Sequence, residues 1–184
     1  MKVCVFCGSS LGKNPNFAKA AEELGKALAK RGDVLVYGGS RKGLMGVLSD
    51  ACFSSGGEVI AVQPRFFLEQ GAVTDSITSL IPTDTMSERK QKMMDLSDCF
   101  LALPGGIGTL DEISEVATEI GLGQVKGKLI LLNVDHFYDS LVALLSSYKE
   151  AGFLKKDWVG WPIVCENVAE VERALDSLKE QEHA

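Results

Sequence analysis

The amino-acid sequence predicts an α/β protein built on a doubly wound parallel sheet with helices on both faces. Short runs rich in Val, Ile and Leu recur along the chain, and segments with helical periodicity lie between them. The runs are apolar throughout rather than alternating with polar residues, which is typical of parallel strands covered on both faces. Strands and helices in alternation then form a doubly wound sheet. The length of 184 residues suits one domain, residues 1–184.

The strands and helices are predicted from these two patterns. Five runs are predicted as buried strands, namely Val3–Phe6, Val34–Tyr37, Val59–Val62, Phe100–Leu103 and Leu129–Leu132, and a weaker strand is expected over Ile77–Ile81. Apolar stripes at helical spacing predict helices over Asn16–Lys30, Leu44–Ser54, Glu88–Leu96, Leu110–Ile120, Phe137–Lys149 and Val168–Leu178. The residues after the last helix are expected to fray.

Charge and composition limit the classes of partner. The net charge of −6 argues against nucleic acid or an anionic membrane as the main partner. No apolar run approaches the roughly 18 residues of a membrane span, and the first apolar run is too short for a signal peptide. We therefore expect a cytoplasmic protein. Five cysteines suggest free thiols, and Cys4 and Cys7 on one strand would face opposite sides, so no metal site is expected.

Three predicted strands end in glycine-rich segments, which begin at Gly8, Gly38 and Pro104. Ligands bind at the carboxyl ends of parallel strands, so the three loops would outline a crevice. The strongest signal is the loop Pro104–Thr109. Its glycines allow close approach of the backbone, and the helix that follows offers free N–H groups and its positive dipole end to a phosphate. Alternatively, the loop merely connects a strand to a helix. A Walker-type loop is not favoured because Leu44 stands where lysine is required.

Two segments carry charged side chains that could act on a bound ligand. Glu112 could close a capping box with Thr109, or its carboxylate could stabilise an oxocarbenium-like transition state or position a water. A helix capped by Thr85 or Ser87 would place Arg89 and Lys90 in its first turn, against the helix dipole. A bound anion would offset that cost; alternatively, Arg89 pairs with Glu88, Asp95 or another surface acid.

These segments together resemble the Lonely Guy (LOG) family of cytokinin-activating phosphoribohydrolases, which also carries an older lysine decarboxylase label. The likeness extends from Cys4 to Phe153. It rests on the motifs Tyr37-Gly38-Gly39 with Gly43-Leu44-Met45-Gly46, Met86 with Glu88-Arg89-Lys90, Leu96-Ser97-Asp98, and Pro104-Gly105-Gly106-Ile107-Gly108-Thr109-Leu110-Asp111-Glu112.

The resemblance implies a Rossmann-like fold, a homodimer and a metal-independent, cofactor-free hydrolase. The reaction would cleave the N-glycosidic bond of adenosine 5′-monophosphate (AMP) or an N6-modified AMP, giving the free base and ribose 5-phosphate. Arg89 and Glu112 would be the catalytic pair. Substrate-binding positions would be Gly38, Gly39, Met86, Lys90, Gly105, Gly106, Ile107, Gly108, Thr109 and Thr118.

Four residues depart from the family pattern: Ser40, Ser87, Glu119 and Gly121. Ser40, Ser87 and Glu119 motivate an alternative function, a non-catalytic carrier of a nucleotide or phosphorylated cofactor on the same fold. Lysine decarboxylation is not favoured, because that chemistry needs a Schiff-base lysine for pyridoxal phosphate and no lysine stands in a recognisable setting for one.

Overall fold

A computed structural model describes residues 1–68, 75–155 and 158–182. Within these residues the chain forms one sheet of seven parallel strands in the order β4-β3-β2-β1-β5-β6-β7. The strands are β1 Lys2–Phe6, β2 Val34–Tyr37, β3 Val59–Pro64, β4 Ser79–Thr83, β5 Cys99–Ala102, β6 Leu129–Leu132 and β7 Ile163–Cys165. The helices are α1 Pro15–Arg31, α2 Gly43–Ser54, α3 Arg65–Leu68, α4 Met86–Asp95, α5 Ile107–Gly121, α6 Asp139–Glu150 and α7 Val168–Glu182.

Helices cover both faces of the sheet, as predicted. One apolar cluster joins the strands to α1, α2 and α7, and a second joins them to α4 and α5. Successive side chains of a strand point to opposite faces. Cys4 accordingly lies in the second cluster and Cys7 in the first, which confirms that the two thiols face opposite sides. Burial raises the pKa of both thiols.

Helices α1 and α2 pack closely through Gly25. A Cβ atom at Gly25 would lie 2.5 Å from the carbonyl oxygen of Leu48 and 2.9 Å from the Cβ of Ala51. The backbones therefore approach more closely than any side chain at this position would allow. Asn14 caps α1 by accepting a hydrogen bond from the Asn16 N–H, and Gly32 ends the helix with a φ of 67°.

A buried carboxylate ties together distant parts of the chain. Asp33, between α1 and β2, is 1% exposed and contacts Arg31 Nε at 2.8 Å, Lys179 Nζ of α7 at 2.7 Å and the Met1 amine at 2.9 Å. Burial opposes ionisation of Asp33, but hydrogen bonds from Lys179, the Met1 amine and Arg31 outweigh it and lower its pKa.

Several boundaries differ from the predicted ones. β4 begins at Ser79 instead of Ile77, β7 was not predicted, and α6 begins at Asp139, two residues late. The late start follows from a 3-10 turn, Val134–His136, in which Asp135 and His136 take positive φ. α7 continues to Glu182, four residues beyond the predicted end at Leu178, and residues 183–184, where fraying was also expected, lie outside the described part. Among the described residues, no helix is both long and apolar enough to span a membrane.

Candidate active site

A cavity of about 580 Å³ opens at the carboxyl edge of the sheet. It is lined by the residues that follow β1, β2 and β5, by the end of β3, and by α3, α4 and α5. β1 and β5 are neighbours in the sheet, and the helices that follow them lie on opposite faces. This is the switch point at which open α/β sheets bind ligands, and the volume falls within the range of small-molecule sites.

Gly8 joins the three glycine-rich loops into one unit. Its N–H donates to the Pro104 carbonyl oxygen at 3.1 Å, and its own carbonyl oxygen accepts from the Leu44 N–H at 3.0 Å. Gly43 (φ 63°) packs on the backbone of Ser9, and Gly105 packs on Gly8, so neither position has room for a side chain. The predicted crevice is therefore built from backbone atoms in mutual contact.

The N-terminus of α5 faces the cavity. The helix begins at Ile107 with Gly106 as its N-cap, and no side chain caps it. A side chain added at Gly106 or Gly108 would meet open space. Free backbone N–H groups and the positive dipole end therefore point toward room for a ligand, which is the arrangement that binds phosphate.

The predicted capping box between Thr109 and Glu112 is wrong. α5 begins three residues earlier than predicted, so Thr109 is its third residue and Glu112 its sixth. A residue that deep in a helix cannot reach the N-cap. Glu112 instead contacts Arg89 of α4.

Arg89 and Glu112 form a buried ion pair at the cavity wall. Arg89 Nη1 donates to Glu112 Oε1 at 2.7 Å, and both side chains are less than 10% exposed. Arg89 is positioned by α4, which is capped by Thr85 through a hydrogen bond from the Glu88 N–H. The guanidinium also packs against Gly38, where a side chain would overlap it. The carboxylate partner of Arg89 is thus Glu112 rather than Glu88 or Asp95.

The environment of Glu112 shifts its proton affinity. Burial raises the pKa of Glu112, and the charge of Asp111 adds to the rise, while Arg89 opposes it. The net result is a raised pKa of Glu112, because the desolvation of this nearly enclosed carboxylate is the largest effect.

Lys90 lies beside this pair. Its Nζ contacts Asp111 Oδ2 at 2.8 Å and Glu115 Oε2 at 2.5 Å. Hydrogen bonds to Asp111 and Glu115 raise the pKa of Lys90. α4 and α5 are therefore joined by two adjacent cations, one buried and one at the cavity surface.

Comparison with known proteins identifies the family. Residues 45–175 match the family model described as "Possible lysine decarboxylase". The chain is 41% identical over 156 residues to the cytokinin riboside 5′-monophosphate phosphoribohydrolase LOG of Oryza sativa subsp. japonica, covering 85% of this chain and 64% of that protein. It is 38% identical over 178 residues to LOG5 of Arabidopsis thaliana, covering 97% and 78%. The chain belongs to the LOG family. It spans less than two thirds of the rice protein's length.

Solved structures confirm the Rossmann-like fold. The molybdenum cofactor carrier protein MCP from Chlamydomonas reinhardtii matches with a TM-score of 0.74 and 20% identity, over 97% of this chain and 98% of that one. The molybdenum cofactor binding protein from Rippkaea orientalis matches with a TM-score of 0.70 and 21% identity, over 96% and 94%. At these identities the likeness shows only that this chain and these proteins share a fold.

Most residues that the LOG resemblance implied lie together. The cavity is lined by Gly38, Met86, Arg89, Lys90, Gly106, Ile107, Gly108, Thr109 and Glu112. Gly39 and Gly105 lie just behind the lining, against Gln63 and Thr109. Thr118 is exposed and does not line the cavity. It lies about 9 Å further along α5 than Glu112. Their roles in binding and catalysis stay predictions.

Two cavity residues were not foreseen from the sequence, Gln63 and Phe67. The predicted third strand ended at Val62, whereas β3 continues to Pro64. The signal for Gln63 was available: it is a polar residue that directly follows four apolar strand residues, at the end where ligands bind.

Proposed function

We propose that this LOG-family chain hydrolyses the N-glycosidic bond of AMP or an N6-modified AMP, releasing the free base and ribose 5-phosphate. The observation that carries the proposal is the buried Arg89–Glu112 pair, which faces a cavity that also receives the free N-terminus of α5. Relatives at about 40% identity carry the name cytokinin riboside 5′-monophosphate phosphoribohydrolase, which supports this reaction.

The phosphate binds at the start of α5. The N–H groups of Ile107, Gly108 and Thr109 donate to its oxygens, and the helix dipole favours its charge. Gly106 and Gly108 leave room for it because neither has a side chain. Lys90 adds a cation at the same wall, held in place by Asp111 and Glu115.

The ribose then lies beside Glu112. As the bond from C1′ to the base nitrogen breaks, the base leaves with the electron pair and the ribose ring gains positive charge. The ionised carboxylate of Glu112 stabilises that charge and accepts a proton from the water that attacks C1′. The departing nitrogen of the base takes up a proton from the solvent, so the products are the neutral free base and ribose 5-phosphate. Arg89 holds the carboxylate in position. Met86, partly exposed at the cavity mouth, offers an apolar contact to the base.

The proposal includes a homodimer. α5 exposes Ile107 and Leu110, and Leu122 follows directly after it with 67% of its surface accessible. Exposed apolar side chains of this size along one helix and directly after it suit a subunit contact. Light scattering on the purified protein tests this part: a mass of two chains supports it and a mass of one chain contradicts it.

The test of hydrolysis is release of base from AMP and from isopentenyl-AMP. We expect Glu112→Gln to lower the rate by roughly 10²–10⁴-fold, because the amide can neither carry the charge nor accept the proton. Glu180→Gln, an exposed position on α7, is the matched control and should keep the wild-type rate. Absence of base release by the wild-type protein from both nucleotides would contradict the proposal. Tight binding without product, unaffected by Glu112→Gln, would replace it with the carrier function.

A further inference from the structure

Gln63 has a buried amide oxygen that finds no hydrogen-bond partner in the described part of the chain. The residue as a whole is 2% exposed. Yet it lines the cavity. Folded proteins seldom leave a buried amide oxygen unsatisfied, because the lost hydration is not recovered. A bound ligand would supply the missing partner.

The position of this amide is fixed by the fold. Gln63 belongs to β3 and pairs with Pro82 of β4 in the parallel ladder. Gly39 packs directly on it, since a Cβ atom at Gly39 would lie 3.0 Å from the Cβ of Gln63. Gly39 also has a φ of 83°, which favours glycine. A rigid strand and a close backbone contact therefore hold the amide in place, as a specificity group requires.

Gln63 stands at the end of the cavity opposite the phosphate site. β2 and β1 separate β3 from β5, so the ends of β3 and β5 are about 14 Å apart at the usual strand spacing. Arg89 lies between them, against Gly38 at the end of β2. A nucleotide with its phosphate on α5 and its ribose beside Glu112 therefore extends its base toward Gln63.

We propose that Gln63 determines which base is accepted, by pairing with the N6 and N7 edge of a 6-aminopurine. Its Oε1 accepts a hydrogen bond from the N6 amino group and its Nε2 donates to N7. A 6-oxopurine places two acceptors, O6 and N7, on that edge, so the amide oxygen stays unsatisfied. This inference rests on the proposed function, since it uses the orientation of the nucleotide in that reaction.

The experiment compares kcat/KM for AMP and inosine 5′-monophosphate (IMP) in the wild type and in Gln63→Met, which has similar volume but cannot form the pair. We expect the wild type to prefer AMP by about ten-fold or more, and Gln63→Met to bring the ratio close to one. Gln124→Met, at an exposed position after α5, should keep the wild-type ratio. An unchanged ratio in a folded Gln63→Met variant overturns the inference.

Failure of the inference is distinguishable from failure of the proposed function. If the wild type releases base from neither nucleotide, hydrolysis fails, and the ratio of Kd values for AMP and IMP replaces the ratio of rates. Gln63→Glu provides a second variant, because a carboxylate still accepts from N6 but repels N7. AMP should bind more weakly to Gln63→Glu than to the wild type, whereas the binding of IMP should not improve. Equal AMP to IMP ratios of Kd in wild type, Gln63→Met and Gln63→Glu would overturn the inference in that case as well.

Discussion

The carboxylate of Glu112 determines how base release should depend on pH. Burial raises its pKa above that of an ordinary glutamate, and the reaction needs its ionised form. Activity should therefore fall as the pH drops through this raised pKa, at a higher pH than the usual value of about 4.3 would give. The measurement is the acid limb of a profile of kcat/KM for AMP against pH.

Asp111→Asn provides the control for this pH dependence. The charge of Asp111 helps raise the pKa of Glu112, so its removal should move the acid limb to lower pH. Glu115 still holds Lys90 in this variant. An acid limb at the position of an ordinary glutamate, or one that Asp111→Asn leaves unmoved, would contradict the assignment.

At the level of single residues, the sequence singled out Arg89 and Glu112 as candidates but did not predict that they contact each other. α4 follows the edge strand β4 and α5 follows the internal strand β5, so the pair forms only once the sheet is assembled. No spacing of residues within either helix predicts this contact. The capping pattern at Thr109 was present in the sequence but was overridden, because the helix starts at Ile107.

The close packing of α1 on α2 makes Gly25 sensitive to substitution. Alanine is preferred over glycine in a helix by about 1 kcal/mol, yet an added methyl group at Gly25 would meet the Leu48 carbonyl oxygen. Overpacking costs about 1–3 kcal/mol, and the upper part of this range, about 2–3 kcal/mol, applies here because the obstacle is a backbone oxygen. After subtraction of the helix preference, we expect Gly25→Ala to lower the free energy of unfolding by about 1–2 kcal/mol net. Urea denaturation measures this change. Glu23→Ala, exposed on the same helix, should be nearly neutral. Equal or greater stability of Gly25→Ala would contradict the prediction, because it would mean that the two helices accommodate the added methyl group without cost.

Among the elements, the buried strands were the most predictable. β2 and β6 have the predicted bounds, because continuous apolar runs reflect burial on both faces. β7 was missed since it has three residues and is only partly buried at the sheet edge. β4, the other edge strand, is largely exposed and therefore carries a weak apolar signal. The first turn of α5 was assigned to a loop because it is rich in glycine. Gly106 is the N-cap of the helix and Gly108 is its second residue.

At the scale of the whole molecule, Asp33 connects the ends of the chain. Removing one member of a buried ion cluster leaves uncompensated charge, so Asp33→Asn should lower the free energy of unfolding at neutral pH by about 3 kcal/mol. Because the folded-state pKa of Asp33 is lowered, this contribution is complete above the ordinary value of 3.8 and is lost as the pH falls through the folded value. Urea denaturation at several pH values checks both statements.

Asp176→Asn is the matched variant for this cluster. Asp176 contacts the same Arg31 at 2.7 Å, but its side chain is 61% exposed. Exposed pairs contribute about 0–1 kcal/mol, so its loss should be much smaller. Equal effects of Asp33→Asn and Asp176→Asn would mean that burial of the cluster adds nothing to stability.

The fold class and the family could be predicted from the sequence, whereas no single segment predicted the order of the strands. Gly8 shows what that order brings about, because its backbone joins loops that begin some thirty and some hundred residues further along the chain. An insertion or a deletion in any of these loops would displace the other two. Evolution and protein engineering can therefore alter this site mainly by exchanging the side chains that line it, such as Ser40, Gln63 and Phe67, while the backbone beneath them keeps its length.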